Sequence, residues 1–312
     1  MGVFRLMPVL ALALAMLPWR AGAADRLTLL LDWFVNSNHA AILTAESSGA
    51  FAKEGLEVAL VEPADPTAPP RLLAAGRADL CIGYQTELPF DVAGGLGILR
   101  VGTLEDAPLN TLIAAGNGPV RTIADLKGKR IGMSANASDR AIVGAMLRSA
   151  GLTMADVVPT EVNFQIEQGL LTGRVDAVLG MRNYELIDLR MRGAAPRDFD
   201  PERYGVPPYD ELIVLARKGM AHDDRVVRFM RALKAGTATL LVDPEAAWRA
   251  AVKQRPELDT ALNHAAWTET LPVLARDPAA LDPARYAALQ RFEHEQGALD
   301  KVLPVAEIAT VP

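Results

Sequence analysis

The sequence predicts an α/β protein with two similar lobes and a cleft between them. A short block occurs twice, as L-A-A-G-R-A-D-L-C-I-G at residues 73–83 and as L-L-T-G-R-V-D-A-V-L-G at residues 170–180. Each copy has the pattern of a helix end, a tight glycine turn and a short buried strand. In both halves of the chain helical and strand patterns also alternate, which favours parallel sheets with covering helices.

The N-terminus has the pattern of an export signal. Arg5 is followed by an apolar run at 6–18, and A-G-A at 21–23 is a small-residue cleavage site. The run is shorter than the roughly 20 residues that cross a bilayer, so we expect a cleaved signal peptide over 1–24 and no membrane insertion. No cysteine stands at the cleavage site to carry a lipid anchor. The expected location is therefore the periplasm.

Apolar runs and turn residues define the elements of the first half. They predict, in order, a strand at 27–31, a helix at 39–51, a strand at 56–61, a helix that leads into the repeat strand at 79–83, a helix from about residue 88 and a strand at 98–104.

The second half begins after the chain breaker G-N-G-P at 116–119. It predicts a strand at 129–133, a helix at 138–150, a strand at 157–162 and a helix that leads into the second repeat copy. The apolar run at 212–215 predicts a strand that returns to the first lobe. Beyond that strand the pattern predicts helices alone, at 224–242, 244–254 and 283–296.

Composition argues against several classes of protein. The chain of 312 residues has a formal net charge of −6 and no basic cluster, which is a poor match for nucleic acid or an anionic membrane surface. Cys81 is the only cysteine, so no internal disulfide can form. The histidines lack metal-ligand spacing, and the G-x-S-x-G, P-loop and G-x-G-x-x-G motifs are absent. We therefore expect no metal and no cofactor.

Ligands of parallel α/β sheets bind beyond the carboxyl ends of the strands. Polar or aromatic segments follow the predicted strands at 32–39, 84–87, 134–136 and 181–185. Trp33 offers a flat, rigid surface on which an aromatic ring can stack, and Tyr84 is a weaker candidate for the same role. The alternative for each ring is that it fills the edge of its lobe.

Glu185 is a carboxylate at a strand end of the second lobe. It can accept hydrogen bonds from an exocyclic amine or a protonated heterocycle, and the alternative is a solvated residue paired with Arg182 or Arg190. The asparagines of these segments can donate and accept, but asparagine is also an ordinary turn and cap residue. His39 either contacts a ligand or opens the first helix, and Ser134 is a further pocket candidate.

Six motifs in chain order give the sequence a family resemblance. They are L-D-W-F-V-N-S-N-H at 31–39, D-L-C-I-G-Y-Q-T-E-L-P at 79–89, A-P-L-N-T-L-I at 107–113, D-L-K-G-K-R-I-G-M-S at 125–134, G-R-V-D-A-V-L-G-M-R-N-Y-E-L at 173–186 and Y-G-V-P-P-Y-D-E-L-I at 204–213. Together they resemble the thiamine pyrimidine-precursor branch of the periplasmic substrate-binding proteins that feed ABC importers.

The resemblance implies a two-lobed, type II periplasmic-binding-protein fold with two crossover hinges, near 109–116 and 205–211. It also implies that a C-terminal helical segment returns to the first lobe. Lobe 1 then comprises residues 25–110 and 209–312, and lobe 2 comprises residues 111–208. The implied partners are an ABC permease and its ATPase, and we expect a monomer.

The resemblance further implies that an aminopyrimidine is clamped between aromatic side chains while acidic and amide groups read its edge. The matching residues are Asp32, Trp33, Asn36, His39, Tyr84, Asn110, Arg182, Asn183 and Glu185. Gln85 and Ser134 join this set as strand-end residues. The sequence departs from the family pattern at Val35, where proline is common, and at Ala40-Ala41, where Thr-Gly is common.

The same fold family contains fungal-type synthases that build the thiamine pyrimidine from pyridoxal phosphate and a histidine. Those enzymes carry Lys and His after the segment that matches the first repeat copy, and a Cys-rich run before the return strand. The corresponding segments here, 83–87 and 205–209, contain no Lys, His or Cys. Because a pyridoxal phosphate Schiff base needs a lysine amine, the sequence predicts a binding protein and not an enzyme.

The predicted function is therefore the periplasmic solute-binding component of an ABC importer. The predicted ligand is a thiamine-precursor aminopyrimidine of the hydroxymethyl or formylaminomethyl type. A flavin, a sulfonate or a nitrate is the alternative ligand on the same fold, and a periplasmic sensor subunit is the alternative role.

Overall fold

The computed structural model describes residues 24–134 and 136–312, which form two five-stranded sheets. The predicted signal peptide lies outside the described residues, apart from Ala24. The strands are, in chain order, β1 Asp25–Leu30, β2 Leu56–Val61, β3 Leu80–Tyr84, β4 Ile98–Thr103, β5 Asn110–Ala114, β6 Arg130–Met133, β7 Val158–Glu161, β8 Ala177–Met181, β9 Arg197–Phe199 and β10 Leu212–Arg217.

Both sheets have the same mixed topology. The strand orders are β2-β1-β3-β10-β4 in lobe 1 and β7-β6-β8-β5-β9 in lobe 2. β1, β2 and β3 are parallel, as are β6, β7 and β8, but β10 and β5 are antiparallel to both of their neighbours. The expectation of wholly parallel sheets is wrong for these two strands, because each enters its sheet directly from the other lobe and not through a covering helix.

The helices cover both sheets. They are α1 Ala40–Ser47, α2 Ala50–Lys53, α3 Pro69–Ala74, α4 Leu88–Ala93, α5 Ala137–Ser149, α6 Ile166–Leu171, α7 Glu185–Met191, α8 Asp224–Val242, α9 Pro244–Gln254, α10 Ala261–Thr270, α11 Pro283–Glu295 and α12 Val305–Ile308. The helix predicted at 39–51 is interrupted at Gly49, whose left-handed φ of 72° ends α1. α10 lies in a segment where the sequence predicted no element.

The repeated block builds matching parts of the two lobes. In lobe 1, Asp79 Oδ2 accepts the backbone N–H of Thr28 in β1 at 2.8 Å. In lobe 2, Asp176 Oδ2 accepts the backbone N–H of Arg130 in β6 at 2.9 Å. Each carboxylate therefore joins the repeat strand to the neighbouring parallel strand, beside a turn that ends at a left-handed glycine.

Each lobe has its own hydrophobic core, and one helix contributes to both. α8 and α9 pack against α1 in the core of lobe 1. α11 places Tyr286 in a second cluster of lobe 1, whereas its residues Leu289 and Phe292 pack in the main cluster of lobe 2. The C-terminal segment, which we expected to return to lobe 1, therefore contacts lobe 2 as well.

The chain passes between the sheets at residues 104–109 and 205–211. The Glu211 carboxylate, in the second crossover, accepts the backbone N–H groups of Leu109 and Asn110 at 2.6 and 3.0 Å and the Asn110 side-chain amide at 2.8 Å. The backbone N–H of Glu211 donates to the carbonyl of Glu105 at 2.9 Å. The two crossovers are thus bonded side by side, and they bend together when the lobes move.

Within residues 24–134 and 136–312, no helix combines the length and the apolar character needed to span a bilayer. Across the same ranges, no three His, Cys, Asp or Glu side chains are grouped so that they could hold a metal ion. Cys81 is buried in β3.

We expect Asp79→Ala to destabilise the protein by about 1.5–3 kcal/mol, because a charge-assisted hydrogen bond is lost and the N–H of Thr28 is left without its partner. Thermal unfolding should show the midpoint Tm lowered by several degrees. Arg77→Ala, an exposed residue of the same block, is the matched control and should leave Tm unchanged. Equal Tm values for Asp79→Ala and wild type would contradict the structural role of the repeat.

Candidate functional site

A cavity lies between the lobes, beyond the carboxyl ends of β1, β3, β6 and β8. Its volume is about 810 Å³, including the part open to solvent. Its lining residues are Asp32, Trp33, Asn36, Asn38, Pro66, Thr67, Tyr84, Thr86, Glu87, Asn110, Ser134, Asn136, Asp139, Ile166, Leu179, Gly180, Met181, Tyr184 and Glu185.

The predicted ligand residues divide into two groups. Those that line the cavity are Asp32, Trp33, Asn36, Tyr84, Asn110, Ser134 and Glu185. Those that the structure places outside the lining are His39, Gln85, Arg182 and Asn183. The predicted strand-end segments also contain Asn38, Glu87 and Asn136, which sequence reasoning did not select. Tyr184 lies in the predicted segment at 181–185, whereas Asp139 and Thr67 add to the polar lining from outside those segments.

Asp32 is held at the cavity wall by two partners. Its Oδ1 lies 2.9 Å from His39 Nε2, and its Oδ2 accepts the Tyr84 hydroxyl at 2.6 Å. The backbone N–H of Asn36 donates to His39 Nδ1 at 3.3 Å, so a neutral His39 carries its proton on Nε2, toward Asp32. Burial raises the pKa of Asp32, but the hydrogen bonds from His39 and Tyr84 outweigh burial and hold that pKa below its ordinary value. Asp32 is thus an anion, and the fully buried His39 positions it.

Gln85 and Arg182 lie behind the cavity and hold its walls. Gln85 Oε1 accepts the backbone N–H of Asp210, in the second crossover, at 2.6 Å. Arg182 Nη2 donates to the Glu202 carboxylate at 3.0 and 3.1 Å and to the carbonyl of Asn110 at 2.9 Å. The guanidinium is therefore neutralised by its own lobe and is not directed at a ligand.

Asn183 joins the two lobes. Its Nδ2 donates to Asn38 Oδ1, in lobe 1, at 2.6 Å and to Thr270 Oγ1, at the end of α10, at 2.9 Å. Asn38 in turn places its Nδ2 3.0 Å from the sulfur of Met181 in lobe 2. Asn183 therefore stabilises the contact between lobes, and its partner Asn38 is the residue that reaches the cavity.

Glu185 begins α7 and faces the cavity from lobe 2. Its Oε2 accepts the backbone N–H of Met181 at 2.8 Å. Burial and the nearby carboxylate of Glu167 raise the pKa of Glu185 to about 8. At neutral pH the group is therefore a carboxylic acid, which offers one donor and one acceptor.

Glu87 and Asn136 meet across the cleft. Glu87 Oε1, in lobe 1, accepts Asn136 Nδ2, in lobe 2, at 2.7 Å. Burial and the carboxylate of Asp139 raise the pKa of Glu87 to about 8. Burial likewise raises the pKa of Asp139 to about 6, against the hydrogen bond that it accepts from the backbone of Ser134 at 2.9 Å. Glu87 is thus a second carboxylic acid in the cavity at neutral pH.

The lining has a distinctive chemical balance. Among the residues that the structure describes, the titratable side chains of the lining are the carboxyl groups of Asp32, Glu87, Asp139 and Glu185 and two tyrosine hydroxyls, with no Lys, Arg or His. Trp33, Tyr84 and Tyr184 supply flat faces. The cavity can therefore stack a planar ring and hydrogen-bond groups that both donate and accept, and it favours a neutral or cationic ligand.

Glu105 lies in the first crossover. It is fully buried, and neither carboxyl oxygen has a partner among the described residues. Burial raises the pKa of Glu105 well above its ordinary value, and the carboxylates of Glu211 and Asp32 raise it further. The folded protein therefore favours the protonated form of Glu105.

Two lobes of mixed sheet with a polar and aromatic cavity between them define a type II periplasmic binding protein fold. The solved alkanesulfonate-binding protein of Xanthomonas axonopodis pv. citri has this fold, with a TM-score of 0.73 and 19% sequence identity. The similarity covers 92% of this chain and 98% of that one. The predicted fold class is thus confirmed.

The chain belongs to the NMT1/THI5-like family, whose model matches residues 36–247. A Haemophilus influenzae protein named for thiamine biosynthesis is 43% identical over 289 residues, which are 92% of each chain. The formylaminopyrimidine-binding protein of Halalkalibacterium halodurans is 29% identical over 255 residues, 81% of this chain and 77% of that protein. A 4-amino-5-hydroxymethyl-2-methylpyrimidine phosphate synthase of Uromyces fabae is 28% identical over 268 residues, 82% of this chain and 78% of the enzyme.

We expect Glu105→Gln to raise Tm, and to raise it more as the pH increases. Between its ordinary value of 4.5 and its raised pKa, Glu105 keeps its proton in the folded protein but is ionised in the unfolded chain. The folded state then binds more protons, so the free energy of unfolding falls as the pH rises from that value toward the raised pKa. Glutamine removes this proton uptake. Each kcal/mol gained should raise Tm by about 2–4 °C.

The measurement is thermal unfolding of both proteins from pH 5 to pH 8. Glu295→Gln changes an exposed glutamate at the end of α11 and serves as the control. A Tm difference between Glu105→Gln and wild type that is constant or shrinks toward pH 8 would show that Glu105 is ionised in the folded protein.

Proposed function

We propose that this protein is the periplasmic solute-binding component of an ABC importer and that its ligand is a thiamine-precursor aminopyrimidine. The family, the fold and the formylaminopyrimidine-binding relative support the proposal. The observation that carries it is the pairing of an aromatic wall at Trp33 with the carboxylic acid of Glu185 in one cavity.

An aminopyrimidine matches that pairing. Its flat ring can stack on the Trp33 indole. On one edge of the ring, a nitrogen that accepts hydrogen bonds lies next to an exocyclic amine that donates them. The protonated Glu185 carboxyl offers the complementary donor and acceptor through its two oxygens. Asn36 and Asn110 also line the cavity and can satisfy further polar groups of the ligand.

The same lining disfavours the alternative anionic ligands. A sulfonate or a nitrate needs cationic donors, whereas the lining has four carboxyl groups and no basic side chain. Arg182, which the family resemblance placed among the ligand residues, is bound to Glu202 behind the wall. A flavin stays compatible with the aromatic wall, and its visible absorbance on purified protein distinguishes it from a pyrimidine.

A synthase role has less support, although relatives in the family carry that name. The cavity lining contains no lysine amine on which pyridoxal phosphate could form a Schiff base. Histidine is also absent from the lining, and the nearest one, His39, is buried behind Asp32. We therefore favour a binding role without catalysis.

In the proposed mechanism the ligand closes the lobes by binding to both of them. Trp33 and Asp32 belong to lobe 1, and Glu185 and Ser134 belong to lobe 2. A ligand that contacts both walls binds the closed form better than the open form and shifts the population accordingly. The closed form then delivers its ligand to the permease, whose ATPase drives uptake. A sensor subunit would bind in the same way, so uptake assays with the permease distinguish the two roles.

We expect Trp33→Ala to weaken binding of formylaminomethyl-aminopyrimidine by at least about tenfold, because stacking and buried area are both lost. Glu185→Ala should weaken it by about 5- to 150-fold, since the ligand edge loses its partner. Isothermal titration gives Kd for each variant. Leu72→Ala, an exposed apolar residue on α3, is the control and should bind as wild type does. Wild-type protein that neither binds the pyrimidine nor gains Tm with it would refute the proposal.

We also expect affinity to fall above pH 8. The pKa of Glu185 is raised to about 8 in the free protein, so the carboxyl has its proton at pH 7 and loses it at higher pH. Because the ring nitrogen needs that proton, affinity should decline by up to about tenfold per pH unit above that pKa. Glu185→Gln keeps a donor and an acceptor and should show a shallower decline. Identical pH profiles for both proteins between pH 7 and pH 9.5 would rule out this role.

A further inference from the structure

Three aromatic rings from both lobes meet beside the cavity. The rings of Trp33 and Phe164 lie 4.3 Å apart between centroids, at an interplanar angle of 64°. Phe34 and Phe164 lie 4.6 Å apart at 31°. Phe164 belongs to lobe 2, in the turn before α6, whereas Trp33 and Phe34 follow β1 in lobe 1. Phe164 therefore lies against both rings of the opposite lobe.

This cluster extends from the cavity to the protein surface. Trp33 lines the cavity, whereas Phe34 is 48% exposed and Phe164 lies outside the lining. The backbone next to the cluster is unusual: within the described ranges, Asn163 is the one non-glycine residue with a positive φ, at 41°. Its side chain donates to Glu161 Oε1 at 2.9 Å. Asparagine tolerates this conformation better than most residues do. At Asn163 the conformation determines the backbone direction at the next residue, Phe164.

We propose that Trp33, Phe34 and Phe164 form an aromatic latch that closes the cavity mouth and makes Phe164 a determinant of ligand residence time. The part of this inference that concerns the ligand rests on the proposed function. Phe164 acts by positioning: it holds the Trp33 indole from the solvent side, while the ligand stacks on the cavity side. Opening the lobes separates Phe164 from both partner rings and exposes all three to water.

The latch has a specific kinetic consequence. The ligand enters while the lobes are apart, so the association rate follows the open fraction of the free protein, and loss of the Phe164 ring leaves that rate unchanged or raises it. It leaves after the lobes reopen, so every contact made only in the closed form slows dissociation. Two aromatic pairs together are worth about a tenfold change in the closed population, and the loss of the ring should appear in the dissociation rate.

The first test is stopped-flow binding of formylaminomethyl-aminopyrimidine to Phe164→Ala. We expect a dissociation rate about tenfold faster and an association rate that is not lowered. Phe164→Tyr retains the ring and should restore the wild-type rate. Asn163→Val keeps Phe164 but places a β-branched residue at a left-handed position, so it should also speed dissociation. Leu171→Ala, an exposed apolar residue of lobe 2, is the control. Tm values show that each variant is folded.

The second test needs no ligand. Ala75 and Thr172 occupy equivalent exposed positions in the two repeat copies, and the single native cysteine is buried. Spin labels on Ala75→Cys and Thr172→Cys therefore report the distance between lobes. We expect Phe164→Ala to shift the distance distribution toward separated lobes.

The results separate the two proposals. If wild type fails to bind the pyrimidine while Phe164→Ala still opens the lobes, the ligand assignment is wrong and the latch stands. If wild type binds but Phe164→Ala has the wild-type dissociation rate and distance distribution, the latch is wrong.

Discussion

The hydrogen bonds of Glu211 determine how the two lobes lie relative to each other. One carboxyl group of the second crossover binds two backbone N–H groups and a side-chain amide of the first. Burial raises the pKa of Glu211 to about 7, although those donors oppose the rise. The lobe contacts farther out include the hydrogen bond of Asn38 with Asn183 and the aromatic latch. The shape of the cavity therefore depends on the two crossovers as well as on the residues that line it.

Much of the fold follows from local pattern. The repeated block and the alternation of strands and helices predicted two lobes, and α8 and α9 have the bounds that the sequence predicted. The directions of β5 and β10 were not predictable in that way, because strand direction depends on a crossing from the opposite lobe and not on the residues of the strand. α10 was missed because its apolar residues lack a strong helical period, and it is stabilised by packing against α7 and the segment at 37–39.

The site was predictable to the level of segments. Strand-end position placed Trp33 and Glu185 at the cavity, because the topology brings the carboxyl ends of the parallel strands together. Strand-end position did not distinguish residues that face the cavity from residues that support the lining from behind, because the direction of a side chain depends on local turns. His39 bonds Asp32 from behind. The raised pKa of Glu185 also depends on Glu167, a neighbour that no motif indicates.

α11 has a consequence for how the molecule comes apart. Its Tyr286 belongs to the core of lobe 1, and its Leu289 and Phe292 belong to the core of lobe 2. A protein of two lobes joined only by crossovers can melt in two steps, one lobe at a time. In this protein, unfolding of either lobe would expose one face of α11, whose other face is packed in the core of the remaining lobe. The shared helix thus couples the two cores into a single cooperative unit, and the lobes should unfold together while remaining free to rotate in the native state.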